Sequence, residues 1–469
     1  MALGKRGNEQ EDLFVTHQQL RAQSHPYYRA MNKILADAGF DRHAETVCAK
    51  FYARKMGRPS LPPGVYFRCL LLGYFEGIDS ERGIAWRAAD SLSLRDFLGI
   101  PASKPTPDHS TLSKTRKRIA IEEHQAVFNW VLGVLDKAGL IKGKTIGVDA
   151  TTLEANAAMK SIVRRDDGRS YQEFLTDLAK SSGIETPTRE DLARIDRNRK
   201  KKGSNQDWHN PYDPDAKITK MKDGRTHLAH KQEHAVDMDT GAVVAVTIQG
   251  ATEGDTSTIE GTLDAAAQNL DEGRDHAGDE SNMVDEPEEV VADKGYHSKC
   301  VMLSLALAGW RTYIAEPRRP RQRWEEQHDE RDAVYANRRR KSGERGKALM
   351  RRRGELIERS FAHAFETGGM RRTHLRHHEN IAKRLLIHIA GFNLGLLMRK
   401  RFGVGKPRCL QGLSAAISAA LIVLVDILVG LMRPPQTVGE RIGRPVLFPV
   451  SYPGGSGGRM AATTFSTGC

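Results

Sequence analysis

Two short β-branched runs, each ending in an aspartate, set the frame for this chain: Thr145-Ile-Gly-Val-Asp149 and Glu289-Val-Val-Ala-Asp293. A brief apolar run bounded by polar sequence is the pattern of a buried strand, and here each run delivers a carboxylate at its end. Between them, Lys231 to Val236 and Ala242 to Gln249 read as two further strands, joined by the hairpin sequence Asp237-Met-Asp-Thr-Gly241. Thr256 to Asn269 has helical spacing, Asp271 to Glu289 reads as an exposed acidic loop, Val301 to Ala308 as a helix and Arg311 to Ala315 as a fifth strand. The order strand, strand, strand, helix, strand, helix, strand predicts an α/β fold built on a mixed sheet, with chemistry at the carboxyl ends of the strands.

Flanking this frame, Tyr27 to Leu140 carries apolar residues at helical spacing, as in Phe67, Leu70, Leu71 and Tyr74, then Phe128, Val131, Leu132 and Leu135. We therefore expect a helical N-terminal domain over 1–140, an α/β domain over 141–400, and a C-terminal apolar helix and disordered tail over 401–469. Residues 160–226 read as a polar insertion with one helix near Tyr171 to Ala179. Residues 317–353 form a basic block with arginine triplets at 338–340 and 351–353 and almost no apolar periodicity. Helical spacing resumes from Gly354 to Glu366, where Ile357, Phe361 and Phe365 make a stripe with Glu358 at its edge. A second basic cluster, Arg371 to Lys383, precedes an apolar helix from Leu385 to Leu397. Leu413 to Met432 approaches the length of a membrane span, but Asp426 interrupts it, which favours a buried or oligomer-facing helix.

Lysine and arginine total 72 against 59 aspartate and glutamate, a formal charge of +13 over 469 residues, which favours a polyanionic partner. The segment Pro107-Asp-His-Ser-Thr111 opens a helix that then carries Lys114, Arg116, Lys117 and Arg118, an arrangement suited to phosphates. Five scattered cysteines without a C-x-x-C pair point to reduced thiols in a cytosolic protein, and no apolar leader follows the N-terminus. In-line displacement at a phosphodiester needs charge neutralised on both the attacking and the leaving oxygen, which two divalent ions supply. Mg²⁺ takes hard oxygen ligands, so two aspartates at adjacent strand ends and a glutamate from a helix on the same edge suit it. Glu358 is the candidate third carboxylate, and Glu355, one turn earlier, competes with it. Lys294 and His297 are candidate contacts to the scissile phosphate. His374, His377 and His378, set among arginines, read as phosphate-facing surface rather than metal ligands, and Trp208 and Trp310 as packing residues rather than base-stacking platforms.

Three segments, Gly147-Val-Asp-Ala-Thr-Thr-Leu-Glu-Ala-Asn156, Val291-Ala-Asp-Lys-Gly-Tyr-His297 and Ile357-Glu-Arg-Ser-Phe361, resemble the catalytic signatures of bacterial insertion-sequence DDE transposases, whose core is RNase H-like. The resemblance spans roughly Tyr66 to Arg399, and Gly57-Arg-Pro-Ser-Leu-Pro-Pro63, Ser80-Glu-Arg82 and Pro107 to Thr111 resemble that family's N-terminal region. Of the family's Tyr-Arg-Glu-Lys signature, Tyr335 and Arg338 keep the first spacing. Glu358, however, lies twenty residues after Arg338 instead of a few, and Phe365 stands where the lysine would fall. Arg359, Arg371 or Arg372 would then take over the DNA contact. The resemblance implies two Mg²⁺ ions, replaceable by Mn²⁺, with Asp149 bridging both and Asp293 and Glu358 each holding one. It also implies nicking of transposon ends and strand transfer into target DNA, with double-stranded DNA (terminal inverted repeats and target) as partner. A homodimer in the cytoplasm, at the nucleoid, and no membrane association complete what it implies. Two alternatives stay open at this stage: an RNase H-like nuclease that never joins strands, and a catalytically inactive, transposase-derived DNA-binding protein.

Overall fold

Helix starts follow local chemistry that needs no tertiary partner. Pro26 and Pro63 sit in the first turns of their helices, where a missing N–H costs nothing, and Ser80 caps the next by accepting from the Gly83 amide. The structure is a computed structural model that describes residues 25–53, 60–199, 203–221, 224–318 and 324–410. The motif residues Gly57 to Pro59, the apolar stretch Leu413 to Met432 and the tail after Pro434 lie outside the described residues. The N-terminal part is helical as expected: α1 (Pro26–Asp37), α2 (Phe40–Cys48), α3 (Pro63–Glu76), α4 (Glu81–Asp90), α5 (Leu92–Phe97), α6 (His109–Arg118) and α7 (Ile121–Lys137). Then follow β1 (Thr145–Glu154), β2 (Val163–Arg164), α8 (Tyr171–Ser181), α9 (Arg189–Asn198), β3 (Trp208–His209), β4 (Lys217–Lys220), β5 (Thr226–Asp237) and β6 (Val243–Gly250). The rest comprises α10 (Asp255–Ala277), β7 (Glu289–Ala292), α11 (Lys299–Leu307), β8 (Arg311–Ile314), α12 (His328–Ser342), α13 (Glu344–Ala362) and α14 (His378–Phe402).

The mixed sheet has β1 at its centre, antiparallel to β5 on one side and parallel to β7 on the other, with β8 parallel beyond β7. β6 and the short β4 both pair with the far edge of β5, β6 along its length and β4 at its start. The β5–β6 hairpin turns at Gly241, whose φ of 81° is a left-handed value that glycine adopts without strain.

Helices cover both faces, and one apolar cluster runs from the N-terminal helices through the sheet to α14. α7 packs on both α10 and α14. Its approach to α10 depends on small residues: a Cβ on Gly133 would lie 2.6 Å from the His276 Cβ and 2.9 Å from the Gly273 carbonyl. α14 is fastened to the sheet by Asn393, which accepts from the Val243 amide at 3.0 Å and donates to the Val243 carbonyl at 2.8 Å. The span 378–410 is apolar and long enough to cross a membrane, yet 89% of its most apolar window is buried by the rest of the protein.

Two expectations need correction, and a third region gains definition. The acidic stretch after Asn269 is not all loop, because α10 continues to Ala277 with Leu270, Gly273 and Ala277 buried along one face. The basic block, for all its lack of apolar periodicity, is helical from His328 on: it forms α12 and the first half of α13, whose buried faces are too narrow to show as a stripe. The insertion holds two helices, each started by a capping box, Ser170 with Glu173 and Thr188 with Asp191. Its small core of Ile162, Trp208, Ala216, Ile218 and Leu228 takes in Tyr171 and Phe174, so Trp208 is a packing residue, as expected.

Candidate active site

The strand register brings two of the candidate carboxylates together. In the parallel pair, Gly147 faces Val291 and Val148 faces Ala292, so Asp149 and Asp293 are the next residues on neighbouring strands. Side chains alternate along a strand, which puts Asp149 and Asp293 on the face that carries Gly147 and Val291. That face is covered by α13. A Cβ on Gly147 would lie 3.0 Å from the Ile357 Cδ1 and overlap the Met238 sulfur, so the missing side chain is what lets the helix lie close.

Asp149 accepts from its neighbour's amide, Ala150, at 2.8 Å through Oδ1, and from the Arg353 guanidinium at 2.8 Å through Oδ2. Burial pushes the Asp149 carboxyl above the usual carboxylate range, Arg353 opposes that rise and the charge of Asp293 adds to it. Asp293 is half-buried and caps the single turn Lys294–Tyr296, its Oδ1 accepting from the Gly295 amide at 2.7 Å. Asp255, first residue of α10, reaches the same edge: a Cβ on Gly295 would overlap Asp255 Oδ2 and lie 3.0 Å from Asp293 Oδ1.

Glu358 is exposed on α13, one residue past the Ile357 that covers Gly147. Glu355 is paired with Arg359 at 2.6 Å on the outer side of the same helix. The arginine that meets Asp149 is Arg353, five residues before Glu358, and sequence reasoning missed it inside the basic triplet. Arg338 instead grips Glu316 through two nitrogens, one at 2.7 Å, and stacks over the Tyr335 ring. Tyr335 and Arg338 thus form a unit of α12 at the end of β8.

The other named residues separate into surface and scaffold. Lys114, Lys117 and Lys294 are exposed. Arg116 is buried, bonded to Glu81 and Asn380, and Arg118 lies over the Tyr52 ring with Ser60 as hydrogen-bond partner. His297 is buried, so it belongs to the packing behind the turn. Arg371 pairs with Glu366, and Arg372 stands 3.6 Å from Glu154; both remain largely exposed. A cavity of about 350 Å³ follows β1 beyond Asp149, lined by Thr151, Thr152, Glu154, Phe365 and Arg371. His374 pairs with Asp79 at 2.7 Å. His377 forms a group with Asp213 and Asp215 whose ligand atoms lie within 4.8 Å of one another. Those two carboxylates accept from the His377 and His378 amides and so cap α14, and none of the three candidate catalytic carboxylates belongs to the group.

The donor set at Asp149 and Asp293 is all oxygen and carries net negative charge against one guanidinium, which suits a hard divalent cation better than a soft one. Arg353 already stands in for a cation at Asp149, and its Nε is buried without a partner.

Comparison with known families gives two matches. A family described as transposase domain (DUF772) matches residues 15–118, and one described as transposase DDE domain matches residues 182–394. The second interval contains Asp293 and Glu358 and begins after Asp149. No curated protein and no solved structure matches the chain.

Proposed function

The chain belongs to the insertion-sequence DDE transposases, with an RNase H-like fold and with transposase domains over more than half its length, and we propose that it nicks transposon ends and joins them to target DNA at a site formed by Asp149, Asp293 and Glu358. The observation that carries this reading is the parallel register of β1 and β7, which sets two acidic side chains side by side on one face under a basic helix.

Asp149, Asp293 and Glu358 would hold two Mg²⁺, with Mn²⁺ as a substitute, and the ions would neutralise the charge developing on the attacking and leaving oxygens. The first reaction adds water across a phosphodiester and frees a 3′-hydroxyl at the transposon end. In the second, that hydroxyl attacks a target phosphodiester: one P–O bond forms, one breaks, and the target's own 3′-oxygen leaves, so no further energy source is needed. Arg353 keeps Asp149 compensated before the cation arrives. The exposed cations Lys114, Lys117, Lys294, Arg371 and Arg372 supply sequence-independent phosphate contacts to duplex DNA. Two ends must be held at once, and a homodimer provides that. We place the enzyme in the cytoplasm, at the nucleoid.

Purified protein incubated with its element's inverted repeats and Mg²⁺ should give 3′-end nicks and, with target DNA, joined products. Asp149→Ala and Asp293→Ala should lose both while still binding DNA. Nicks without joined products would leave a nuclease; binding without nicks in the wild type would leave an inactive DNA-binding descendant.

A further inference from the structure

Behind the proposed catalytic face, β5 carries a fully buried carboxylate. Glu233 lies opposite Ala150 in the β1–β5 register, so it points away from Asp149 and lies beneath α10. A buried carboxylate is costly unless it is paired and hydrogen-bonded, and this one is both. Lys231, itself 4% exposed, stands 3.1 Å from Oε1. Thr258 donates to Oε1 at 2.7 Å and Thr262 to Oε2. The fourth partner comes from elsewhere: the Tyr296 hydroxyl donates to Oε1 at 2.9 Å. The Lys231 ammonium also reaches Asp255 Oδ1 at 2.7 Å.

An apolar cluster of similar shape would hold α10 to the sheet at no loss of stability, so the charge needs another explanation. Three of the four partners belong to β5 and α10, and of these only Lys231 reaches onward, to Asp255 at the start of α10. Tyr296 leads to the reacting edge, because it closes the one-turn segment that begins directly after Asp293. That turn is held at both ends, by the Gly295 amide on Asp293 Oδ1 and by the Tyr296 hydroxyl on Glu233. Between these ties Gly295 has no room for a side chain, since Asp255 and Asp293 flank it.

We propose that Glu233 is a positioning residue for Asp293, acting through the Tyr296 hydroxyl, with Lys231 bracing Glu233 and Asp255 from behind the sheet. The inference rests on the reading of Asp149 and Asp293 as metal ligands, and it assigns the Lys231–Glu233 pair the work of holding the Asp293 turn at the spacing two carboxylates need to share cations. Glu233 touches neither DNA nor metal in this scheme.

The test is Mn²⁺ binding by the full-length protein, followed by the spin-resonance signal of the free ion, with DNA affinity, melting temperature and the metal dependence of nicking measured in parallel. Tyr296→Phe keeps the ring and removes the donor. It should weaken Mn²⁺ binding about tenfold, the lower end of what loss of a ligand-orienting partner costs, and leave DNA affinity unchanged. Nicking by Tyr296→Phe should recover at high Mn²⁺, which a general loss of structure would not allow. Glu233→Gln should shift the metal requirement in the same direction, and Gly295→Ala, which crowds Asp255 and Asp293 directly, should shift it further. Wild-type Mn²⁺ affinity in both Tyr296→Phe and Gly295→Ala, alongside loss of binding in Asp149→Ala, would overturn the relay and leave the reading of the site intact. Unchanged binding in Asp149→Ala, or none in the wild type, would overturn that reading and the relay with it.

Discussion

At the ends of β1 and β7 the backbone decides where a carboxylate goes. Four consecutive register pairs fix Asp149 beside Asp293, and neither side chain has to choose a partner for the two to meet. On α13 the position of an acidic group depends instead on helix phase and on which ions pair with which. Glu358 is exposed, Glu355 is tied to Arg359, and the side chain that does reach Asp149 is the cation Arg353. A sheet edge therefore presets two carboxylates, and the helix above it offers its acidic groups in places settled by charge.

The sharpest way to break this contrast is to remove the helix-borne acids one at a time. Glu358→Gln should cut Mg²⁺-dependent nicking by about two to three orders of magnitude, the usual cost of losing one group that stabilises developing charge. Glu355→Gln loses only an exposed i,i+4 pair and should stay within about twofold of wild type. Single-turnover rates on an inverted-repeat substrate decide it. The reverse ranking would make Glu355 the third ligand and leave the strand pair untouched.

The same contrast explains what could be read from the residues alone. β1 and β7 were legible because β-branched runs report burial directly, and the β5–β6 hairpin because Gly241 marks its turn. α12 was not, since only Ala333, Val334 and Asn337 are buried among its charges, and a helix that hides so little apolar surface leaves no period to detect. The end of α10 was hidden for another reason: Gly273 and Ala277 carry its contact with α7, and small residues do not look like a core face. Within the site, Asp149 and Asp293 could be named from position, whereas Arg353 looked like one more phosphate-facing arginine. Its partner lies 204 positions away, and only the folded helix shows it. Lys231 and Glu233 stand in the wholly polar run His230 to His234, which carries no apolar alternation, so nothing in the pattern revealed that both are buried.

Arg353 offers a second way to sharpen the comparison. Its side chain is 14% exposed and that of Asp149 28%, so the pair lies between the surface and buried cases. Arg353→Ala should lower the stability of the metal-free protein by about 2 kcal/mol, because Asp149, next to the charge of Asp293, loses its counter-charge. Millimolar Mn²⁺ should return most of that loss in the variant and add less to the wild type, where the cation must displace the guanidinium. Urea titrations with and without Mn²⁺ measure both. Equal destabilisation in the two conditions would mean that Arg353 only packs, and that the cation and the arginine do not compete for Asp149.

A third expected effect lies where helix and strand meet. His234 pairs with Asp149 across the β5–β1 ladder and is fully buried under α13; its Nδ1 lies 2.8 Å from the Ser360 hydroxyl, and its ring stacks on Phe361 at 4.2 Å. Ser360 in turn donates to the Ile357 carbonyl, so the histidine must donate through Nδ1 and accept from Gln232 through Nε2, which is the neutral form. Burial lowers its pKa to about 3. As pH falls below about 6.5 the unfolded chain takes up a proton that the folded one refuses, so stability is complete above that value and declines by about 1.4 kcal/mol per pH unit toward 3. Other buried histidines add their own increments, among them His124, also held near 3. The measurement is therefore a difference in slope: urea midpoints between pH 4 and 6 should fall less steeply in His234→Phe than in the wild type, by one proton's worth. An unchanged slope would mean that His234 is charged in the folded protein, and a positive group beside Asp149 on the ladder would then compete with any cation there, making the strand edge as dependent on ion pairing as the helix above it.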